Sequence, residues 1–428
     1  MANFSAQVFQ NEYLAEGSTD ANAVVSVTCT DAGMAGAGAT GEAAEVIIVD
    51  TSGSMEMPVA KINAARRAAK VAISEIVDGT WFAVVSGHSV AQMVYPTQPG
   101  LAQMNDERRA AAIEAVGRLS SGGATAIGAW INAATELFSF RPHAQAHAIL
   151  LTDGRIEGEP EGTLEAALRR AEGKFQCDCR GIGADWEVAE LRGIADALLG
   201  SVDIVADPDD LADDFGEMMR RSMGRGVSDV RLRVWAPQGS EVLFVRQVAP
   251  TVEDLSAKAL QEGPLIRSYP TGAWGDESRD YHISVRVPPA PVGQERLAAR
   301  VELVVDGNVV AKGLIRALWS TDVQRTTRID PAVAHYTGQT DLADRIQRGL
   351  AAKAAGDTDA ATVLLGEAAK LAHQSGNENT TRLLAKVVDV VDADAGTVRL
   401  KKNIDKADEM ALDTRSTKTT RIRREPQP

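Results

Sequence analysis

Residues 46–55 read VIIVDTSGSM. Val46, Ile47, Ile48 and Val49 form an apolar run without polar alternation. Such a run predicts a strand covered on both faces, as in the parallel sheet of an α/β domain. It ends at Asp50, and hydroxyls and a glycine follow. Asp50, Ser52 and Ser54 stand two residues apart on a predicted tight loop, with Gly53 permitting the sharp turn. In open α/β sheets ligands bind beyond the carboxyl ends of the strands, which is where this loop falls. One carboxylate and two hydroxyls offer only oxygen, the donor suited to a small hard cation such as Mg²⁺.

Two other segments can extend that donor set. Residues 121–125, SGGAT, form a glycine-rich loop that carries Thr125 ahead of a helical stretch. Residues 148–152, AILLT, read as a second buried strand that delivers Asp153 at its carboxyl end. The order is DxSxS, then a loop threonine, then a strand-end aspartate. A lone DxSxS would say little, because Asp and Ser are common turn residues. All five positions in order, at the ends of apolar strands, are specific. This arrangement resembles the metal-ion-dependent adhesion site (MIDAS) of the von Willebrand factor type A (VWA) family, over residues 45–223. The resemblance implies a Rossmann-like α/β domain in which Asp50, Ser52, Ser54, Thr125 and Asp153 hold Mg²⁺ or Mn²⁺. It also implies a protein partner whose Asp or Glu carboxylate completes the coordination.

The chain has 428 residues, too many for one ordinary core, so two or three domains are expected. Its 44% apolar and 24% charged content is that of a soluble globular protein. A net charge of −14 argues against nucleic acid as the main partner, since phosphate binding needs basic surface. The first residues, MANFSAQVFQNEY, have neither a basic nor an apolar leader region, and no apolar run is long enough to span a bilayer. Three cysteines cannot all pair. Cys177 and Cys179 share one face of a predicted strand and read as core thiols, so a reduced, cytoplasmic setting is expected.

Strand and helix signals alternate from 45 to 223, which predicts a doubly wound, mostly parallel sheet with helices on both faces. In the first helix, 58–77, Ile62, Ala65, Ala69, Ala72, Ile73 and Ile76 make the apolar stripe. Lys61, Arg66, Arg67 and Lys70 are expected on the opposite side. From 227 to 319 the pattern changes to strands at 230–235, 241–248, 281–287, 297–305 and 309–318, split by Pro and Gly turns, as in a β-sandwich. Residues 1–30 also read as β, and a hairpin alone is marginal in water. They are therefore expected to complete the sandwich, with the α/β domain inserted between its strands.

Residues 331–392 carry three amphipathic helical stretches, the first two resembling one tetratricopeptide-like hairpin. With no further repeat, a small helical domain is expected. The expected division is 1–40, N-terminal strands and linker; 41–225, VWA domain; 226–328, β-sandwich; 329–410, helical domain; and 411–428, a disordered basic tail. From 413 on, the tail holds five basic residues against two acidic ones, and threonines beside arginines. That pattern suits a Ser/Thr kinase, and phosphothreonine is read by forkhead-associated domains through arginine clusters.

Signals for catalysis are weak. No HExxH, no P-loop and no nucleophile elbow with a placed histidine appears. His143 and His147 stand four apart, but at a loop-to-strand boundary, and read as solvated. His88 reads as a turn residue, and WGDESRDY at 274–281 reads as a solvated loop joining sandwich strands. The expectation is a non-enzymatic protein without catalytic residues, whose metal site binds a partner carboxylate. The alternative is a metal-binding accessory subunit of an AAA-type, chelatase-like ATPase, whose partners carry the same site. The whole layout resembles actinobacterial VWA proteins.

Overall fold

The computed structural model describes residues 2–36 and 41–421. They form two compact units. One gathers the residues up to Asp31, Asp229–Gly272 and those from Asp276 on. The other comprises Ala32–Ser228 with Ala273–Gly275. The chain opens in the first unit with β1 (Asn3–Gln10), β2 (Tyr13–Ala15) and β3 (Asp20–Thr30), leaves it for the second, and returns.

The second unit is α/β. Its elements are β4 (Ala43–Asp50), α1 (Ala60–Glu75), β5 (Trp81–Gly87), β6 (Ala91–Tyr95), β7 (Ala102–Gln103), α2 (Asp106–Gly117), α3 (Ile127–Ser139), β8 (Gln145–Thr152), α4 (Thr163–Ala171), β9 (Gln176–Ile182), α5 (Val188–Ala197), β10 (Val202–Val205) and α6 (Leu211–Met223). The strand order is β10-β9-β8-β4-β5-β6, with β7 also on β5. Strands β10 to β5 are parallel, and β6 runs antiparallel at the edge. Every residue of β4 is buried, which explains its unbroken apolar run: Ile47 and Val49 join a core with α1 and α6, and Val46 and Ile48 face the other side. Alanines at 64, 65, 68, 69 and 72, all inaccessible or nearly so, let α1 approach the sheet closely.

Two readings change here. Lys61 is buried on α1 instead of lying on its solvated side. His147 is a buried strand residue, while His143 is exposed in the preceding turn. Cys177 and Cys179 are free and fully buried, as expected of core thiols, with sulfurs 4.0 Å apart. Of the linker at 31–41, residues 37–40 lie outside the described residues.

The first unit continues with β11 (Arg231–Trp235), β12 (Glu241–Ala249), β13 (Glu253–Asp254), β14 (Leu260–Gly263), β15 (Ile266–Pro270), β16 (Glu277–Arg286), β17 (Glu295–Val305) and β18 (Asn308–Ser320). One sheet runs β1-β3-β16-β12-β13, and the other β14-β15-β11-β17-β18-β2. The N-terminal strands thus enter both sheets, and the α/β segment is inserted between strands of a sandwich-like pair. At Gly313 of β18 a Cβ would lie 2.5 Å from Val8 Cγ2 of β1, so only glycine allows that approach. The short hairpin at 260–270 has too few apolar residues for its strands to have been read from sequence.

Helices α7 (Val323–Thr326), α8 (Pro331–Ala354), α9 (Thr358–Gln374) and α10 (Glu378–Val387) follow, then the hairpin β19 (Val388–Asp392) and β20 (Thr397–Leu400), and α11 (Lys406–Arg415). Asp330, Asp357 and Asn377 cap α8, α9 and α10 through their side chains, which places the turns where sequence puts them. Val388 begins a strand instead of continuing the third helix. Sandwich and helices, expected as separate domains, gather in one unit.

Two further corrections fall in this unit. Glu277–Tyr281 belongs to β16, and Asp280 is completely buried, so this is no solvated loop. The tail is not disordered through residue 421: Thr414 and Ser416 are buried, and the Thr419 hydroxyl donates to Val248 O at 2.6 Å. Arg421 reaches Asp280 with both Nε and Nη2, each at 3.1 Å. An ion pair 141 residues apart has no local signature, and a segment nearly devoid of apolar residues reads as tail. The rest of that segment, 422–428, lies outside the described residues.

Candidate metal centre

Parallel strands align their carboxyl ends, so residues far apart in sequence meet on one rim. The loop after β4 turns as a short 3-10 segment, Gly53–Glu56. Asp50 at the strand end is completely buried. Its Oδ1 accepts from the Ser52 N–H at 2.7 Å, and its Oδ2 from the Thr152 hydroxyl at 2.5 Å. The Ser52 and Ser54 hydroxyls lie 2.9 Å apart, and Ser54 donates to Asp153 Oδ1 at 2.6 Å. The glycine-rich loop is tied to the first one twice: Gly53 N–H donates to Gly123 O at 2.9 Å, and Gly122 N–H to Thr51 O at 2.8 Å. Thr125 is placed by Gly154, where a Cβ would lie 3.1 Å from Ser54 Oγ and 3.2 Å from Thr125 Oγ1. All five expected donors therefore meet at one place.

The chemistry there is that of hard oxygen. Burial pushes the Asp50 carboxyl up to about 6, against the hydrogen bonds from Ser52 and Thr152 that pull it down. A nearby cation relieves such a cost. Among the described residues no three His, Cys, Asp or Glu side chains gather as metal ligands, so an ion held here relies on hydroxyls as well as on Asp50 and Asp153. Two carboxylates and three hydroxyls fit Mg²⁺ or Mn²⁺ better than a softer ion. A cleft of about 340 Å³ opens beside the glycine-rich loop, lined in part by Ser86, His88, Arg118, Ser121 and Gly122.

Sequence reasoning missed two residues here. Thr152 steadies Asp50; its only signal is its place just before Asp153. Lys61 donates to Asp153 Oδ2 at 2.7 Å and to Asp185 Oδ2 at 3.2 Å. At the opposite end of the same strands lies another buried charge cluster, also unread. His147 Nδ1 is 2.8 Å from Glu45 Oε2, and its Nε2 is 3.0 Å from Asp178 Oδ2. Burial would push His147 down, but the two carboxylates outweigh it and hold it up at about 9. Burial would likewise raise Asp178, yet His147 holds it well below the usual carboxylate range.

A doubly wound sheet with DxSxS, a loop threonine and an aspartate converging at its carboxyl rim defines the type A class, and the chain belongs to the von Willebrand factor type A family. The family's type A domain signature matches residues 44–204, and its type A C-terminal domain signature matches 370–416, from the end of α9 through α11. A solved von Willebrand factor type A protein from Catenulispora acidiphila, an actinobacterium, is 49% identical, with a TM-score of 0.93, over 98% of this chain and 97% of that one. The ArnB paralog VWA2 from Sulfolobus acidocaldarius shares the fold across 97% of this chain and 98% of its own, at 15% identity and a TM-score of 0.58. A comparison with curated proteins gives no match. Among the described residues no helix is long and apolar enough to cross a membrane.

Proposed function

We propose that this chain is a non-enzymatic, metal-dependent protein-interaction protein. Asp50, Ser52, Ser54, Thr125 and Asp153 hold Mg²⁺, or Mn²⁺, and the ion binds an Asp or Glu carboxylate of a partner protein. The observation that carries this is the convergence of the five oxygen donors from three loops. Access supports it too: Gly53, Ser54, Gly122 and Gly123 are exposed, while Asp50 and Asp153 beneath them are buried. Mg²⁺ keeps several waters in such partly built sites, and one of them is what a carboxylate replaces.

Calorimetric titration of the full-length chain with Mg²⁺ tests the ion, and a pull-down with and without EDTA, read by mass spectrometry, tests the partner. Mg²⁺ uptake and an EDTA-sensitive partner are expected; no Mg²⁺ or Mn²⁺ uptake overturns the reading. An AAA-type ATPase in the metal-dependent fraction would favour the accessory-subunit alternative. A kinase reading of the tail centres on Thr420, which is exposed, whereas Thr417 and Thr419 are half-buried and Thr414 and Ser416 are buried.

A further inference from the structure

Asp153 divides its two oxygens. Oδ1 accepts from Ser54 within the hydroxyl cluster, and Oδ2 accepts from the Lys61 ammonium. The pair is enclosed: the Lys61 side chain is 8% exposed and that of Asp153 is 0% exposed. Lys61 sits in the first turn of α1, directly after the loop that carries Ser52 and Ser54. It therefore ties that loop's helix to the loop of Asp153. Its second partner, Asp185, is 73% exposed on the loop after β9 and shares the ammonium only partly.

The charge balance follows. Asp50 and Asp153 contribute two negative charges, and Lys61 returns one positive charge inside the same buried volume. A divalent ion on two carboxylates alone would be neutralised. With the ammonium beside Asp153, the ion retains about one net positive charge. Screening is weak where water is excluded, so this difference persists at physiological salt.

We propose that Lys61 is a positioning residue that sets the affinity balance of the site: it weakens the hold on the metal and strengthens the metal's hold on a partner's carboxylate. It also fixes which oxygen of Asp153 faces the hydroxyls. This rests on the metal-site reading above and adds a direction to it. A lysine that merely braces the loop predicts the opposite sign for the metal, because its loss would loosen Asp153.

The test is calorimetry on the full-length chain with Mg²⁺, comparing wild type, Lys61→Gln, Lys61→Arg and Asp185→Asn. Lys61→Gln keeps an N–H donor for Asp153 and removes the charge. It is expected to bind Mg²⁺ about tenfold more tightly, about 1.4 kcal/mol. Lys61→Arg is expected to match wild type, and Asp185→Asn to bind a few-fold more weakly. Acetate titrated into the Mn²⁺-loaded protein, followed by water-proton relaxation, is expected to bind Lys61→Gln more weakly than wild type. Unchanged or weaker Mg²⁺ binding by a Lys61→Gln protein that melts like wild type overturns the Lys61 assignment and leaves the metal site standing. Absence of Mg²⁺ and Mn²⁺ uptake by wild type overturns both. If Lys61→Gln does not fold, Asp185→Asn decides: equal or tighter Mg²⁺ binding there overturns the assignment.

Discussion

Strands β4 and β8 carry buried charge at both ends, and the two ends treat it differently. At the amino ends Glu45 and His147 meet Asp178 of β9, with the Ser222 hydroxyl of α6 donating to Glu45 at 2.5 Å and Ser201 to Asp178 at 2.7 Å. At the carboxyl ends Asp50 and Asp153 meet Lys61 and three hydroxyls. Each cluster has two buried carboxylates and one cationic side chain bonded within it, and Lys61 also reaches the exposed Asp185. What differs is the supply of acceptors and the route to water. At the amino ends every charged group comes from a strand interior, and both nitrogens of a protonated imidazole are used. At the carboxyl ends the donors come from a strand end and from loops that are exposed at Gly53, Ser54, Gly122 and Gly123, and hydroxyl lone pairs remain. The first cluster is closed and complete; the second has oxygen left to offer an ion. Function here follows from access more than from net charge.

The largest expected effect tests the closed end. His147→Leu strands two carboxylates in the interior, and breaking a buried ion pair from one side costs about 3–5 kcal/mol. Urea unfolding of the α/β unit should show that loss, with Mg²⁺ affinity of the folded protein unchanged. A loss under about 1 kcal/mol would mean that His147 is not the charge holding the cluster together.

The same group gives a pH dependence whose sign is fixed. Its folded value is about 9 and its ordinary value 6.5. The folded state binds the proton more tightly, so the stabilisation is fully present below 6.5. It is lost as pH rises through 9. Its size is on the order of 3 kcal/mol, from 1.36 kcal/mol per unit. Wild-type stability should fall across that window, and the fall should be absent in His147→Leu. A flat wild-type profile from 6.5 to 9 would erase the contrast between the ends.

Asp50→Ala tests the open end. Without that carboxylate, Mg²⁺ affinity should drop at least about a hundredfold, roughly 2.7 kcal/mol. Because burial already disfavours the charged form of Asp50, the variant should fold and melt no lower than wild type. Calorimetry beside thermal melting checks both halves.

Both ends lie on the same strands, yet only one was legible. The carboxyl-end donors stand just past apolar runs, and a parallel sheet brings every such position to one rim. Strand prediction therefore put Asp50 and Asp153 on one rim, while Thr125, on a glycine-rich loop ahead of a helix, was joined to them by the resemblance to the metal-ion-dependent adhesion site. His147 and Glu45 sit inside or just before those runs, where a lone polar residue reads as a strand edge. Nothing local announces that the partners of His147 are 102 and 31 residues away. Lys61 failed similarly: it is four residues from Ala65 on α1, yet its burial depends on Asp153, a residue on another loop. In the sandwich, alternation in β11 and β17 showed the strands. Asp280 and Arg421 looked like loop and tail because their ion pair joins positions 141 residues apart, and only Asp280 of the two is buried. Apolar periodicity is written locally, whereas paired burial of charge is not.

The smallest expected effect separates geometry from hydroxyl chemistry at the open end. Thr125 contributes no charge, so its loss cannot alter the electrostatic sum that Asp50, Asp153 and Lys61 set. Thr125→Ala removes one oxygen among five and should weaken Mg²⁺ binding about tenfold, near 1.4 kcal/mol. Thr125→Ser keeps the oxygen and should stay within about threefold of wild type, near 0.65 kcal/mol. If both variants bind like wild type, Thr125 only shapes the loop, which Glu157 N–H also holds through Thr125 O at 2.9 Å. If both weaken equally, the methyl group that distinguishes threonine from serine fixes the hydroxyl's direction. The open end would then depend on packing as tightly as the closed one does.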